Sequence, residues 1–571
     1  MKDRSVVQRP IKYRVILNIN RSFQYVDYRP PSVNSQVILI NPPQVFTKNQ
    51  VASGITPPLG IAYIAAILEQ NAISVDIIDA VGLSPGTINS FYKETFVRGL
   101  GFEDIVALLD DEVKIVGISN LFSFAYPVVQ ELSRQIRSFN SDIKIVLGGP
   151  HPSALYAEIL HEDREFVDFV VLGEGENPFL HLCQKLLQDN VLFQSNVGGD
   201  ISNLAYLDEN GNCQMGTEKL ERNTKLNSDS IPFPARHLLP MEEYIKAQES
   251  HGYSNGRWTS MISSRGCPYG CTFCASRKTR WVSRSATDVA DEIEYCIKTW
   301  NIREFHFEDD NMTINVKRLI QICDEIKRRK LDITWQTPNG IRASRIDEEM
   351  LRAMKESGCE HVTLAPESGS PRVLEDIIQK GKDFDLEHLK QCGATAHKLG
   401  LKVAAYFVLG LPGETRADME MTISYARELA KVGVDEVNFG LFIPLPGTPL
   451  WEPSKHKIKD MDWLDLLTVG DLANAVSFND EVDGKELDWV RKKAYLSFLL
   501  TRIIYHPGQF AGTIFNVLRG IEKTKTERVL KTLYSRYKKD TKDGIHKLVF
   551  DNRTFYAYRH MYRKIFRLIF R

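Results

Sequence analysis

The chain has 571 residues, enough for two or more domains, and its 72 basic and 73 acidic residues leave a net charge of −1. Proteins that bind nucleic acids in bulk usually have an excess of basic residues, and this chain has none. We therefore predict no nucleic-acid partner. No stretch of about 18 apolar residues occurs, and the N-terminal residues lead into no long apolar run. Six of the nine cysteines are scattered without a disulfide framework. We therefore expect a cytoplasmic protein without a secretory signal or a transmembrane helix.

The first third of the chain alternates apolar strands with helical runs. Residues 1–34 are interpreted as an irregular N-terminal extension, and a domain is predicted over residues 35–189. Its predicted strands cover residues 37–40, 75–79, 114–119, 144–147 and 168–172. Such alternation indicates an α/β fold with a parallel, doubly wound sheet, whose ligands bind at the carboxyl ends of the strands.

Glycine-rich segments follow three of these strands, where missing side chains let a large ligand approach the backbone. The candidate ligand contacts there are Ser119, Gly148, Gly149, His151, Gly173, Glu174 and Gly175. These segments resemble the cobalamin-binding, Rossmann-like domain that precedes many radical S-adenosylmethionine (SAM) domains. The resemblance implies that these residues bind cobalamin, although an α/β domain without cobalamin is the alternative. No Asp-x-His-x-x-Gly run occurs, so we predict that His151 lines the pocket of the nucleotide tail and does not coordinate cobalt.

A linker is predicted over residues 190–256. It contains a hairpin signal, Asn210-Gly211 between two apolar runs, and an extended stretch around Pro232 and Pro234. We expect this linker to connect the first domain to a second one over residues 257–455.

The second domain begins with three closely spaced cysteines. Cys267, Cys271 and Cys274 have the spacing C-x3-C-x2-C, and the aromatic Phe273 precedes the third. Three thiolates can bind three irons of a 4Fe–4S cluster and leave the fourth iron open to a small molecule. A zinc site is the alternative, but zinc usually needs a fourth ligand, and no second Cys/His cluster is visible.

Six strand–helix units are predicted from Met261 onwards, which indicates a partial (β/α)6 TIM-like barrel with its site at the carboxyl strand ends. The candidate residues at these ends are Asp309, Asp310, Arg342, Glu367, Ser368 and Gly410. A carboxylate can accept hydrogen bonds from an ammonium group, and a guanidinium can pair with a carboxylate or a nearby acid. A carboxylate and a hydroxyl can bind ribose, and a glycine turn lets adenosine approach the backbone.

In their order, these fragments resemble the radical SAM family, and residues 35–455 together resemble its cobalamin-dependent group. The resemblance implies that the three cysteines hold a 4Fe–4S cluster and that Phe273 and the strand-end residues contact SAM. It also implies cleavage of SAM to a 5′-deoxyadenosyl radical that abstracts hydrogen from a C–H bond. Asp309-Asp310 stands where other subfamilies have Gly-Gly-Glu, which leaves open which aspartate contacts the SAM ammonium group.

The resemblance implies an enzyme that methylates an unactivated carbon of a small-molecule or lipid-like substrate, with cobalamin as methyl carrier. An electron donor such as flavodoxin or ferredoxin would be its partner. One alternative keeps the cofactors but closes a ring, contracts a ring or installs oxygen. Another is a noncatalytic cobalamin and iron–sulfur sensor. A tRNA methylthiotransferase would usually need a second cysteine-bearing domain and an RNA-binding barrel, and neither is visible.

The C-terminal region, residues 456–571, is predicted to be largely helical. Its last stretch, residues 555–571, has no acid and carries arginines and aromatic residues at helical spacing. A basic amphipathic helix can lie on an anionic membrane surface, which would make the protein peripheral to the membrane. We favour the alternative, a helix that caps the barrel with its aromatic face.

Overall fold

The computed structural model describes residues 35–188 except 49 and 51–53, then 198–216, 231–459, 461–467, 475–519, and the single residues 524 and 527. The predicted N-terminal extension and the basic stretch at residues 555–571 lie outside the described residues. Within the described ranges, none of the helices combines the length and the apolar character needed to cross a bilayer.

The first domain is built on strands and helices that alternate along the chain. Its strands are β1 (Val37–Asn41), β2 (Gln44–Thr47), β3 (Val75–Asp79), β4 (Ile88–Ser90), β5 (Thr95–Arg98), β6 (Ile115–Ser119), β7 (Lys144–Gly148), β8 (Phe169–Val171), β9 (Leu204–Leu207) and β10 (Cys213–Met215). Its helices are α1 (Leu59–Gln70), α2 (Ala80–Leu83), α3 (Phe102–Val106), α4 (Tyr126–Phe139), α5 (Pro150–Ala154), α6 (Tyr156–Glu162) and α7 (Glu176–Gln188).

Five of these strands form the predicted parallel sheet, in the order β3-β1-β6-β7-β8. The strand order reverses between β1 and β6, and doubly wound sheets bind ligands at the carboxyl ends beside such a reversal. Helix α4 is an example of how the sequence specifies a helix that packs on the sheet. Pro127 lies in its first turn, and its buried face consists of Val128, Val129, Leu132 and Ile136. Strands β2, β5 and β4 form a separate small antiparallel sheet that we did not predict.

The hairpin that we predicted inside the linker is part of the first sheet. Strands β9 and β10 pair with each other, and β9 pairs antiparallel with β8, with Phe169 opposite Tyr206. The pairing satisfies the backbone groups of β8, which would otherwise form an open edge. The linker prediction was therefore wrong for this segment, because an edge strand is recruited by a sheet that is distant in sequence.

The second domain is the predicted open barrel. Its strands are β11 (Trp258–Met261), β12 (Ser264–Arg265), β13 (Val282–Ser283), β14 (Glu304–Phe307), β15 (Thr334–Ile341), β16 (Cys359–Glu367), β17 (Lys402–Leu409) and β18 (Glu436–Leu441). Its helices are α8 (Met241–Ala247), which precedes β11, α9 (Ala286–Trp300), α10 (Val316–Arg328), α11 (Glu348–Glu356), α12 (Leu386–Lys398) and α13 (Arg416–Lys431). Six strands pair in parallel in the order β11-β14-β15-β16-β17-β18, which confirms the partial (β/α)6 architecture.

The described part of the C-terminal region is helical, as predicted, with α14 (Trp451–Ile458), α15 (Gly484–Tyr505) and α16 (Pro507–Leu518). Helix α15 packs along α13 and β18, and Arg416 forms an ion pair with Glu486 across the first of these contacts. The second part of the predicted linker, which contains α8, is also packed. Tyr244 of α8 is fully buried and donates to Asp79 at 2.8 Å, so α8 attaches the barrel to the end of β3.

Candidate active site

The cysteine loop is closed at its base by a short hairpin. Strands β12 and β13 pair antiparallel, and inside the loop the backbone N–H of Cys267 donates to the Thr279 hydroxyl at 2.8 Å. Cys267, Cys271 and Cys274 are all free and half-buried on this loop. The structure therefore presents three sulfur donors of one loop at the carboxyl end of the first barrel strand.

The donor set fits an iron–sulfur cluster. Soft thiolates favour such clusters, and each thiolate of a 4Fe–4S cubane binds a different iron, so the three sulfurs need not converge on one point. In the described part of the chain, no three His, Cys, Asp or Glu side chains are arranged around a single ion position. Burial raises the pKa of the Cys274 thiol to about 12, and iron binding would displace that proton.

Asp309 and Asp310 hold the cysteine loop. The Asp309 carboxylate accepts from the backbone N–H of Ser263 at 2.7 Å and from the hydroxyls of Ser263 and Ser264. Asp310 accepts from the N–H of Gly266 at 2.7 Å and from the Ser276 hydroxyl at 2.5 Å. Both aspartates thus anchor the ends of the loop, and their contact with the SAM ammonium group stays a prediction.

Arg342 supports the same loop from the end of β15. Its guanidinium lies 3.7 Å from the ring centroid of Tyr269, and it pairs with Asp383 at 2.8 Å. It also donates to the backbone carbonyl of Lys380 at 2.5 Å. The sequence suggested that Arg342 pairs with a carboxylate or with a nearby acidic residue, and the structure shows the second, Asp383. The ion pair orients Arg342, and the cation–π contact with Tyr269 holds the middle of the cysteine loop.

Glu367 and Ser368 have different surroundings although they are adjacent. Glu367 has a φ of +65° and pairs with the buried Lys380 at 2.9 Å. The Ser368 hydroxyl is fully buried, lies 3.0 Å from the Thr422 hydroxyl and accepts from the N–H of Ser370. Glu367 is therefore linked through Lys380 to Arg342 and the cysteine loop, whereas Ser368 stabilises its own turn. Contacts of both residues with SAM stay predictions.

Gly410 and Phe273 connect the ends of the later strands to the loop. Gly410 has a φ of +82°, and an added Cβ would lie 2.7 Å from the Leu487 side chain. Its N–H and that of Leu411 donate to one oxygen of the buried Glu414 carboxyl group. Phe273 packs against an apolar cluster that includes Leu411. The turn after β17 thus supports the cysteine loop through apolar contact and needs glycine at position 410.

Glu414→Gln should make stability less dependent on pH. Burial raises the pKa of Glu414 to about 8, so the folded state keeps a proton that the unfolded chain loses near the ordinary glutamate pKa. The resulting stability is complete below that ordinary value and is lost as the pH rises through the folded pKa. We expect the melting temperature of the wild type to fall more than that of Glu414→Gln between about pH 5 and about pH 9. An equal fall in both proteins would contradict the assignment.

The predicted cobalamin face of the first domain has both open space and unpaired polar groups. Ser119 ends β6 half-buried, Gly148 ends β7 with no heavy atom within 4 Å of an added Cβ, and Gly173 is exposed after β8. Asn120 is 2% exposed, yet neither the nitrogen nor the oxygen of its side-chain amide has a hydrogen-bond partner within the described ranges. Unsatisfied buried polar atoms at these strand ends fit a ligand that carries many polar groups, as cobalamin does.

His151 is enclosed by aromatic rings. Its Nδ1 lies 2.9 Å from the Ser123 hydroxyl, and its ring contacts Tyr126 and, from the C-terminal region, Trp463. Burial lowers the pKa of His151 to about 4, so the imidazole is neutral near pH 7, and its Nε2 is buried without a partner among the described residues. Its place beside the nucleotide tail stays a prediction, as does the absence of a bond to cobalt.

Gly149→Ala should damage the fold of this face, whereas Gly148→Ala should not. Gly149 has a φ of +117°, and its added Cβ would lie 2.3 Å from the carbonyl oxygen of Asn120. We expect Gly149→Ala to lose about 2–4 kcal/mol of folding stability. Gly148→Ala is the matched control: its methyl group would enter open space, so cobalamin affinity should fall while thermal stability is retained. Equal melting temperatures for the two variants would contradict this interpretation.

Sequence reasoning missed several residues of this region. Asn120 directly follows Ser119 at the strand end, so its position alone was a usable signal. Lys380 had no such signal, because it reaches Glu367 from a turn after β16. His251, whose Nδ1 lies 3.0 Å from Glu308 Oε2 at the end of β14, lies in the segment that we had assigned to the linker.

Comparisons with known proteins agree with this architecture. The family description "B12 binding domain" matches residues 49–183, and "Radical SAM superfamily" matches residues 261–426. The chain is 32% identical over 471 residues to an "uncharacterized methyltransferase" of Pyrococcus horikoshii, covering 81% of this chain and 92% of that protein. It is also 32% identical over 451 residues to the cytidylyl-2-hydroxyethylphosphonate methyltransferase of Streptomyces wedmorensis, covering 73% and 80%.

Among solved structures, the cobalamin-dependent S-adenosylmethionine radical enzyme OxsB has the same fold. The TM-score is 0.60 at 16% identity, covering 93% of this chain and 84% of that one. The two domains together define the class of this protein: it combines a cobalamin-binding domain with a radical SAM barrel. The chain belongs to the cobalamin-dependent radical SAM family. The predicted family, fold class and cofactors, namely cobalamin, a 4Fe–4S cluster and SAM, are confirmed.

Proposed function

We propose that this protein transfers a methyl group to an unactivated carbon of a small-molecule substrate. The observation that carries the proposal is the direct contact of the two ligand faces: Arg265 of the cysteine loop pairs with Glu176, which follows the glycine-rich turn after β8, at 2.6 Å. A reaction that uses both cofactors on one carbon needs these faces to be close. When bound, cobalamin supplies a transferable methyl group, and the cluster with SAM supplies a radical that abstracts hydrogen.

The residues of the chain would bind the cofactors, orient them and shield them from water. Cys267, Cys271 and Cys274 would hold the cluster, and Asp309 and Asp310 keep their loop in place. The SAM contacts would be Phe273, Asp309, Asp310, Arg342, Glu367, Ser368 and Gly410, and the cobalamin contacts Ser119, Gly148, Gly149, His151, Gly173, Glu174 and Gly175. The apolar cluster behind Phe273 and Cys271 keeps water from one side of the loop.

A small polar substrate is favoured over a lipid-like one. One relative at 32% identity is named for cytidylyl-2-hydroxyethylphosphonate, which is a polar small molecule. We also propose that a flavodoxin or ferredoxin reduces the cluster, since radical formation from SAM consumes one electron.

The test is a labelling experiment with anaerobically reconstituted holoenzyme. The enzyme would receive SAM with a trideuterated methyl group and a metabolite extract from a strain that lacks the gene. We expect one metabolite to gain the labelled methyl group, with one 5′-deoxyadenosine and one S-adenosylhomocysteine formed per product. The Cys271→Ala enzyme is the control. A product without label would favour ring formation or oxidation, and a holoenzyme that never cleaves SAM would favour the sensor.

A further inference from the structure

The ion pair between Arg265 and Glu176 links the two domains directly, and we call this contact the joint. The Arg265 Nη1 to Glu176 Oε1 distance is 2.6 Å, and the side chain of Glu176 is 5% exposed. Glu174, two residues earlier, lies 3.8 Å from the same guanidinium. An ion pair that is shielded from water depends strongly on geometry, because loss of one partner leaves the other charge buried.

A third group from the first domain completes the joint. The guanidinium of Arg265 lies 4.8 Å from the ring centroid of Tyr63, a buried residue of α1. Stacking on one side and an ion pair on the other restrict a planar guanidinium more than either contact alone. Arg265 is therefore held by α1 and by the start of α7, both elements of the cobalamin domain.

Both ends of the joint lie next to cofactor-binding residues. On the barrel side, Arg265 is paired in β12 and is separated from Cys267 only by Gly266, whose N–H is held by Asp310. On the other side, Glu176 directly follows Gly175, where an added Cβ would lie 2.9 Å from Ile64 of α1. A displacement of either partner must therefore move the cluster loop relative to the cobalamin loop.

We propose that Arg265 and Glu176 are positioning residues that set the separation between the cobalamin loop and the cluster loop. The inference rests on the proposed function in one respect, that both cofactors act on the same substrate. Misplacement of reacting groups by about 1 Å can lower a rate roughly 100-fold, so a joint at this position controls how often a substrate radical is methylated.

The test measures the separation directly and needs no substrate. Holoenzyme with cob(II)alamin and the reduced cluster would be studied by pulsed electron paramagnetic resonance, which reports the distance between the two paramagnets. We expect Glu176→Gln, which keeps shape and removes charge, to broaden and shift the distance distribution while iron content stays at the wild-type level. The matched control is Glu158→Gln, because Glu158 is an exposed glutamate of α6 in the same domain.

A second variant covers the case in which Glu176→Gln no longer retains cobalamin. Arg265→Lys keeps the positive charge but loses the planar guanidinium that contacts Tyr63 and Glu176, so it should shift the distribution away from that of the wild type. Wild-type distributions in Glu176→Gln and Arg265→Lys would overturn the inference, and so would an equal change in Glu158→Gln. The outcome is independent of methyl transfer, so failure of the proposed function would be seen separately in the labelling experiment.

Discussion

Replacing Cys271 with alanine is expected to abolish formation of 5′-deoxyadenosine from SAM. Cys271 is one of three sulfur donors on the loop, and a cubane that loses one of its three protein ligands has no replacement thiol nearby in sequence. The measurement is chromatographic detection of 5′-deoxyadenosine after anaerobic reduction, together with the iron content. Cleavage at the wild-type rate would refute the assignment of the cluster site.

The loss should come from the cluster and not from unfolding. The backbone around Cys271 is fixed by its neighbour, since Thr272 donates to the carbonyls of Ile378 and Ile377 at 3.0 and 2.6 Å. Cys213→Ala is the matched control, because Cys213 is a free, half-buried cysteine of β10 outside the loop. It should keep the full iron content and cleave SAM normally.

Glu292→Gln is expected to destabilise the protein by about 3–5 kcal/mol. Glu292 is fully buried in α9 and forms ion pairs with Arg284 and, at 2.5 Å, with Arg236. The amide would leave two guanidinium groups without their shared counter-charge. In a domain of this size, the melting temperature should fall by roughly 6–20 °C.

The pH dependence and a neighbouring residue test the same ion pairs. Burial alone would raise the pKa of Glu292, but Arg284 and Arg236 more than offset it and hold the pKa below its ordinary value. This stabilisation is present above the ordinary glutamate pKa and is lost as the pH falls through the lowered one, so the variant and the wild type should converge in acid. Asp291→Asn, on the same helix as Glu292, changes the exposed partner of an ion pair with Arg329 and should cost less than about 1 kcal/mol. Equal losses in both variants would contradict the argument.

Local patterns in the sequence were sufficient for the parallel strands of both main sheets and for the cluster motif. Buried parallel strands such as β1 form apolar runs that are visible without any tertiary information, and the turns after them mark the strand ends. The three cysteines lie on one loop, so their spacing can be recognised in a single short stretch of the sequence. The six-stranded barrel and the order of the two domains followed from these local features.

Hydrogen-bond partners that are distant in the sequence could not be predicted from local patterns. The predicted contact of Asp309 and Asp310 with the SAM ammonium group stays a prediction, and the structure adds their hydrogen bonds to Ser263, Ser264, Gly266 and Ser276, which the sequence did not reveal. Whether a carboxylate faces a cavity or its own scaffold depends on side-chain direction at the end of a strand. A one-residue change reverses that direction, which sequence cannot resolve at a strand boundary.

The sequence by itself determined the fold class, the domain order and the three cysteines, because hydrophobic periodicity and ligand spacing are properties of short segments. Only the tertiary structure decided that the hairpin belongs to the first sheet, that His151 contacts Trp463, and that Arg265 pairs with Glu176. Each of these is a contact between segments far apart in the chain. Such contacts depend on how packed layers align, and the shape of the combined core sets that alignment.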